Sequence, residues 1–142
     1  MSISFHAEQV NNPLKNRRIV REWIYQSILN EKLIPGEINV IFCDDERLLS
    51  INKQFLNHDY YTDIITFDYS DATGVSGDLY ISIERVKDNA IKFETPIQLE
   101  LYRVVIHGVM HLCGYKDKKK NDVVVMRSKE EKYLRKITKM LQ

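Results

Sequence analysis

Apolar residues recur along this chain with two different periods, and each change of period marks out an element. Near the amino terminus Ile3 and Phe5 alternate with polar neighbours, the period of two that a short strand requires. Asn12-Pro13 then reads as an N-cap followed by proline at the first helical position. Leu14, Ile19, Val20, Trp23, Ile24, Ile28 and Leu29 keep helical spacing, which predicts a helix over 13–30 with Lys15, Arg17, Arg18 and Arg21 largely on its other faces. Pro35-Gly36 predicts a turn and 38–43 a β-branched strand, after which Asp44 or Asp45 can cap a helix through Leu48, Leu49, Ile51 and Phe55. Residues 57–61 form a polar, aromatic loop. Two strands follow, over 62–69 and 79–83, separated by a loop rich in Asp, Ser and Gly, and then a short helix over 84–93.

Thr95-Pro96-Ile97-Gln98 has the form of a capping box with proline at the first helical position. The helix it opens is apolar around most of its circumference (Ile97, Leu101, Val104, Val105, Ile106, Val109, Met110, Leu112), so it belongs in the core. Residues 122–142 intersperse Val124, Val125, Leu134, Ile137 and Leu141 with many lysines and glutamates, the pattern of a solvated helix with one packed edge. The order βαβαββααα contains two successive strands and no regular βα alternation. It predicts an α+β fold: one domain over 1–142, a small mixed sheet of about four strands, and about five or six helices around it.

With 142 residues, 44% of them apolar and 29% charged, the chain is long enough to bury one core, and its composition excludes disorder and fibrous repeats. It has neither an apolar run of about 18 residues nor a basic-then-apolar leader, so a cytoplasmic location with no membrane contact is expected. Cys43 and Cys113 lack the Cys-x-x-Cys spacing of thiolate zinc or redox sites and read as buried thiols. A formal net charge of +1 exerts no whole-molecule pull on an acidic partner. Affinity for nucleic acid would have to come from local clusters, of which there are two: Lys116, Lys118, Lys119 and Lys120, and Lys15, Arg17, Arg18 and Arg21. Tyr60, Tyr61, Tyr69, Tyr80 and Tyr115 are the aromatic groups able to stack on unpaired bases.

Chemistry concentrates at the end of the apolar helix. A single buried histidine is ordinarily a hydrogen-bonded core residue, but His107 and His111 stand at i and i+4 and so share a helix face. Gly114 can end the helix and turn the chain so that the Asp117 carboxylate comes back toward both imidazoles. Two nitrogens and one oxygen leave the fourth position of a tetrahedral zinc site open, the pattern of a catalytic centre. Zincin proteases carry glutamate directly after the first histidine, whereas Gly108 stands there, so peptide hydrolysis by that mechanism is disfavoured.

His-Gly-Val-Met-His-Leu-Cys-Gly-Tyr over 107–115 resembles the signature of the YbeY family of bacterial endoribonucleases and ribosomal-RNA maturation factors. The resemblance extends to Ile51-Asn52-Lys53-Gln54-Phe55, to Thr62-Asp63-Ile64-Ile65-Thr66-Phe67, to Gly77-Asp78-Leu79-Tyr80-Ile81 and to Met126-x-x-x-Glu130-Glu131-x-x-Leu134, in the family's order and over nearly the whole chain. It implies a single α+β domain, one bound divalent ion, usually zinc, and single-strand-specific RNA cleavage. It also implies a role in 16S rRNA 3′-end maturation and ribosome quality control, with rRNA and the small ribosomal subunit as partners.

The chain departs from the family pattern twice. The pattern usually continues Gly-Tyr-Asp-His with the last histidine as third ligand, whereas Lys116-Asp117 occupies that pair, so Asp117 inherits the ligand position. A carboxylate for an imidazole lowers the charge of a zinc site from +2 to +1. A water at the open position is then less acidic, which predicts a higher pH optimum than a three-histidine homologue has, or a shift toward harder ions such as Mn²⁺. Leu56 stands where many members carry an arginine, leaving Lys53, His58, Lys116 and Lys118 as candidate cations for the charge that develops on a phosphodiester. Asp63, Asp78 and Glu84 are carboxylates in segments able to reach the site, although Asp63 and Thr62 equally suit hydrogen bonding in the turn before a strand. Two other functions fit the residues: a ribosome-biogenesis binding protein with a structural metal and little catalysis, and a metallohydrolase of a substrate other than nucleic acid.

Overall fold

In the computed structural model, which describes residues 2–142, four strands and five helices follow in the order β1 (Ser2–Ala7), α1 (Arg17–Asn30), β2 (Pro35–Cys43), α2 (Asp45–Leu56), β3 (Ile64–Asp68), β4 (Val75–Ser82), α3 (Ile83–Lys92), α4 (Ile97–Leu112) and α5 (Lys120–Met140). The sheet order is β1-β2-β4-β3. β1 and β4 each run parallel to β2, in register through Ile3 with Ile38 and Val40 with Leu79, while β3 runs antiparallel to β4 with Thr66 opposite Leu79. The α+β reading holds, and the two successive strands form the sheet's antiparallel pair.

Strand alternation sends Ile3, Ile38, Val40, Phe42, Leu79 and Ile81 to one face, where they join the buried sides of α1, α4 and α5 in a single core. The other face carries a smaller cluster in which Leu48 and Ile51 of α2 cover Cys43 and Ile65. As its apolar circumference predicts, α4 is buried almost all round. It lies so close to the sheet that a Cβ at Gly108 would fall 2.7 Å from Ile64 Cδ1 and 3.0 Å from Leu79 Cδ1. A side chain after the first histidine would have to displace these methyl groups, so the position of the protease glutamate is crowded as well as occupied by glycine.

Two helix starts differ from expectation, and one side chain accounts for both. Asn12 does not cap a helix at Pro13; its Oδ1 accepts from Leu14 N in a local turn, and α1 begins only at Arg17 after Asn16 in the left-handed region. Gln98 pins this stretch, donating from Nε2 to Pro13 O at 2.8 Å and accepting from Lys15 N at 3.2 Å. Committed there, Gln98 cannot close a capping box with Thr95. Pro96 becomes the N-cap of α4 and no side chain caps it. Pro35-Gly36 lies inside β2, beside a register shift, rather than in a free turn, and α5 starts two residues earlier than predicted, at Lys120. Asp44 caps α2, accepting from Arg47 N at 2.8 Å.

Candidate metal centre

His107 and His111 project from one face of α4, and the end of that helix is built to bring a third group back to them. Tyr115 N donates to Met110 O and Gly114 N to His111 O, the paired bonds of a Schellman motif, with Gly114 at φ +105° where a Cβ would be strained. This turn serves the site twice. It aims the chain so that Asp117 returns over the imidazoles, and it places Tyr115 O 2.9 Å from His111 Nδ1.

His107 Nε2 lies 3.0 Å from His111 Nε2, and Asp117 Oδ2 lies 3.2 and 3.3 Å from the two nitrogens. These three residues are the His, Cys and acidic group that could hold a metal ion among the described residues. Atoms about 2.0–2.1 Å from a tetrahedral zinc stand about 3.3 Å apart, so the triangle is already close to the size of a zinc face. The donor chemistry fits too. Tyr115 O can only accept, and the Glu130 carboxylate, 2.7 Å from His107 Nδ1, also accepts, so each neutral imidazole carries its proton on Nδ1. Both Nε2 lone pairs then point at a carboxylate and at each other. Such an arrangement repels itself unless a positive charge, a proton or a metal ion, sits among the three.

Behind the triangle lies a charged network that the sequence reading did not assign. Arg103 donates to both oxygens of buried Glu100 and to Glu130 at 3.2 Å, with Asp63 4.0 Å away. Burial alone would raise the Glu130 carboxyl, but its bonds to His107 and Arg103 outweigh that and hold it below the ordinary range. For His107, burial opposes the charged form, yet the Glu130 hydrogen bond, with Glu130 and Asp117 charge, lifts the imidazole above its usual value. Burial dominates at Asp63 and pushes its carboxyl up against the pull of Arg103 and His107. A signal for this network was present: Glu100, Arg103, His107 and His111 follow at 3, 4 and 4 residues, one polar stripe on an otherwise apolar helix.

The remaining sequence candidates disperse. Asp63 turns toward α3 and α4, where Asn89 Nδ2 reaches it at 3.4 Å, whereas Asp78 accepts from Asn39 and Glu84 from Asp45 N. Lys53 pairs with Asp59, and His58 stacks on Tyr60. Leu56 is exposed at the end of α2. Arg103 of α4 and Arg127 of α5 share a cleft with His107 and Asp117.

Comparisons with known proteins identify the family. The family model described as Endoribonuclease YbeY matches residues 2–138. The chain belongs to the YbeY family. It is 51% identical to the Endoribonuclease YbeY of Flavobacterium psychrophilum over 94% of each chain. It is 51% identical to that of Porphyromonas gingivalis over 93% of this chain and 87% of the other, and 46% identical to that of Bacteroides fragilis over 94% and 96%. Among solved folds, the solution structure of TM1509 from Thermotoga maritima superposes with a TM-score of 0.65 at 27% identity, over 96% of this chain and 89% of that one.

Proposed function

We propose that this YbeY-family protein is a metal-dependent endoribonuclease that cuts single-stranded RNA, acting in 16S rRNA 3′-end maturation and ribosome quality control in the cytoplasm. The observation that carries the reading is the convergence of the His107 and His111 Nε2 lone pairs and the Asp117 carboxylate within about one zinc–ligand bond length of a common point, in a family whose members bear the name endoribonuclease. His107, His111 and Asp117 hold one divalent ion per chain, zinc or a harder ion such as Mn²⁺. When bound, the metal supplies Lewis acidity toward a phosphoryl oxygen.

The protein's own groups do the rest. Glu130 and Tyr115 O fix both imidazole tautomers, so that both Nε2 atoms face the metal position and neither ring needs to rotate on loading. Asp117 is the most exposed of the three, its side chain 40% accessible, and it opens the triangle on the side from which a strand of RNA can approach. Arg103 sits behind it with its charge shared among Glu100, Glu130 and Asp63. No helix among the described residues is long and apolar enough to cross a membrane. Lys116, Lys118, Lys119 and Lys120 flank the site and would favour a polyanion, rRNA on the small ribosomal subunit in this reading.

The test is cleavage of a labelled single-stranded RNA and its duplex by the zinc-loaded protein, the chelated protein and His111→Ala, all purified in parallel. Cleavage of the single strand by the loaded wild type alone is the expected result. Equal cleavage by His111→Ala would assign the activity to a contaminating nuclease. The sharing of Arg103 among three carboxylates, together with Leu56, favours one second reading, an RNA-binding biogenesis factor of weak catalysis. In that case the RNA is bound and stays intact in every sample.

A further inference from the structure

We propose that the cleft beside the metal triangle is a nucleobase pocket, seating the base next to the phosphate that is cut; this rests on the endoribonuclease reading above. The cleft, about 500 Å³, opens from His107 and Asp117 and extends between α4 and α5 to the α3–α4 connection. That is enough room for a flat heterocycle and its sugar. Its composition is mixed in the way a base requires. Val123, Met126 and Leu134 give an apolar wall, Phe93 stands 56% exposed at the rim, and the Arg127 guanidinium lines the cleft with no ion-pair partner among the described residues.

Planar aromatic and guanidinium groups stack on any base, because every base has a π-face. The edges also find partners. Thr95 lines the same cleft, and its hydroxyl is the buried side-chain polar atom without a hydrogen-bond partner among the described residues. A buried, unsatisfied hydroxyl is costly to maintain, and a turn of the Thr95 side chain toward the cleft would let a base edge satisfy it. An apolar peptide side chain would fill the wall but leave Thr95, Arg127 and Glu131 unmatched. Continuity decides the rest: a phosphodiester at His107 and Asp117 has its flanking base one sugar away, and the cleft begins at those two residues.

The experiment is a cycle between protein and substrate. Wild type, Phe93→Ala and Thr95→Val, each loaded with one zinc per chain by elemental analysis, are given a single-stranded RNA with one cut site, intact or with an abasic nucleotide on either side of it. For the wild type, removing the base on one side lowers kcat/KM by about tenfold, and Phe93→Ala lowers it on intact RNA by a similar factor, chiefly through KM. The two losses do not multiply, because each deletes one half of the same stack. Thr95→Val keeps the rate but changes which bases are found at the seated position. Phe93 is exposed, so its variant keeps the wild-type melting temperature and metal content.

Indifference of the wild type to both abasic substitutions, or losses that multiply, overturns the pocket. The same cycle read as affinity, by fluorescence anisotropy at low salt, needs no turnover. Coupled losses in binding without any cleavage uphold the pocket and overturn the endoribonuclease reading, and uncoupled losses overturn the pocket alone. Absence of RNA binding overturns both.

Discussion

Replacing Glu130 separates two tasks of one buried carboxylate. Its Oε2 accepts from His107 Nδ1 at 2.7 Å and its Oε1 accepts from Arg103 Nη1 at 3.2 Å. Glu130→Gln keeps the size and one acceptor but removes the negative charge behind the ligand. Glu130→Ala removes both, leaving His107 free to change tautomer and Arg103 with Glu100 as its close partner. Loss of an outer partner of a ligating histidine typically costs 10–100-fold in metal affinity, about 1.4–2.7 kcal/mol, and we expect glutamine near the lower end and alanine near the upper. The metal-free alanine variant should also lose about 1–2 kcal/mol of stability. That is less than the 3–5 kcal/mol of a fully buried broken pair, because Arg103 keeps Glu100 and is part-exposed. The assay is zinc competition against a chromophoric chelator at pH 7.5, with thermal melts of the metal-free proteins. Wild-type zinc affinity in both folded variants would refute the positioning argument, as would an alanine loss equal to that of glutamine.

Other consequences can be checked separately. Asp117→His restores a neutral third ligand and raises the charge of the loaded site from +1 to +2, so the alkaline-side rise of RNA cleavage should move down by about one pH unit; superimposable pH–rate profiles would contradict it. Glu31 accepts from Tyr115, Tyr133 and Lys129, and although burial works against ionisation these bonds hold its carboxyl below the ordinary range. Its contribution is therefore complete above the unfolded carboxylate pKa and is lost as pH falls through the lower folded value. Glu31→Gln should be about 1–2 kcal/mol less stable at pH 7 and should converge on wild type in acid, by urea titration across pH. A Cβ at Gly77 would fall 2.4 Å from Phe67 O on the neighbouring strand and 2.5 Å from Leu112 Cδ2 of α4, so Gly77→Ala should cost about 2–3 kcal/mol in denaturant melts. Burial pushes the Cys43 and Cys113 thiols up to about 12, and at pH 8 only about 10⁻⁴ of each is thiolate, so an aromatic disulfide reagent should label them only on unfolding.

What could be read from the sequence and what could not divide along a physical line. The i, i+4 histidines, the glycine that ends their helix and the acid that follows are all local: helical geometry and one left-handed residue carry Asp117 back to within 3.3 Å of both imidazoles. The same holds for the β3–β4 pair and the Asp44 cap. The misses are long-range. Asn12-Pro13 and Thr95-Pro96 both have sound local capping chemistry, but Gln98 bonds across 85 residues to Pro13 O and withdraws one capping partner while pinning the segment that should have been helix. Glu130 reaches Arg103 across 27 residues, so no window along the chain contains the network that sets the tautomer of His107. The polar stripe of α4 showed that something must satisfy Arg103 and Glu100 inside a buried helix, since charges there are kept only when paired. Which element supplies the partner depends on α5 packing beside α4, a property of the fold as a whole. The candidate ligands were thus written locally, and the groups that orient them were written in the topology.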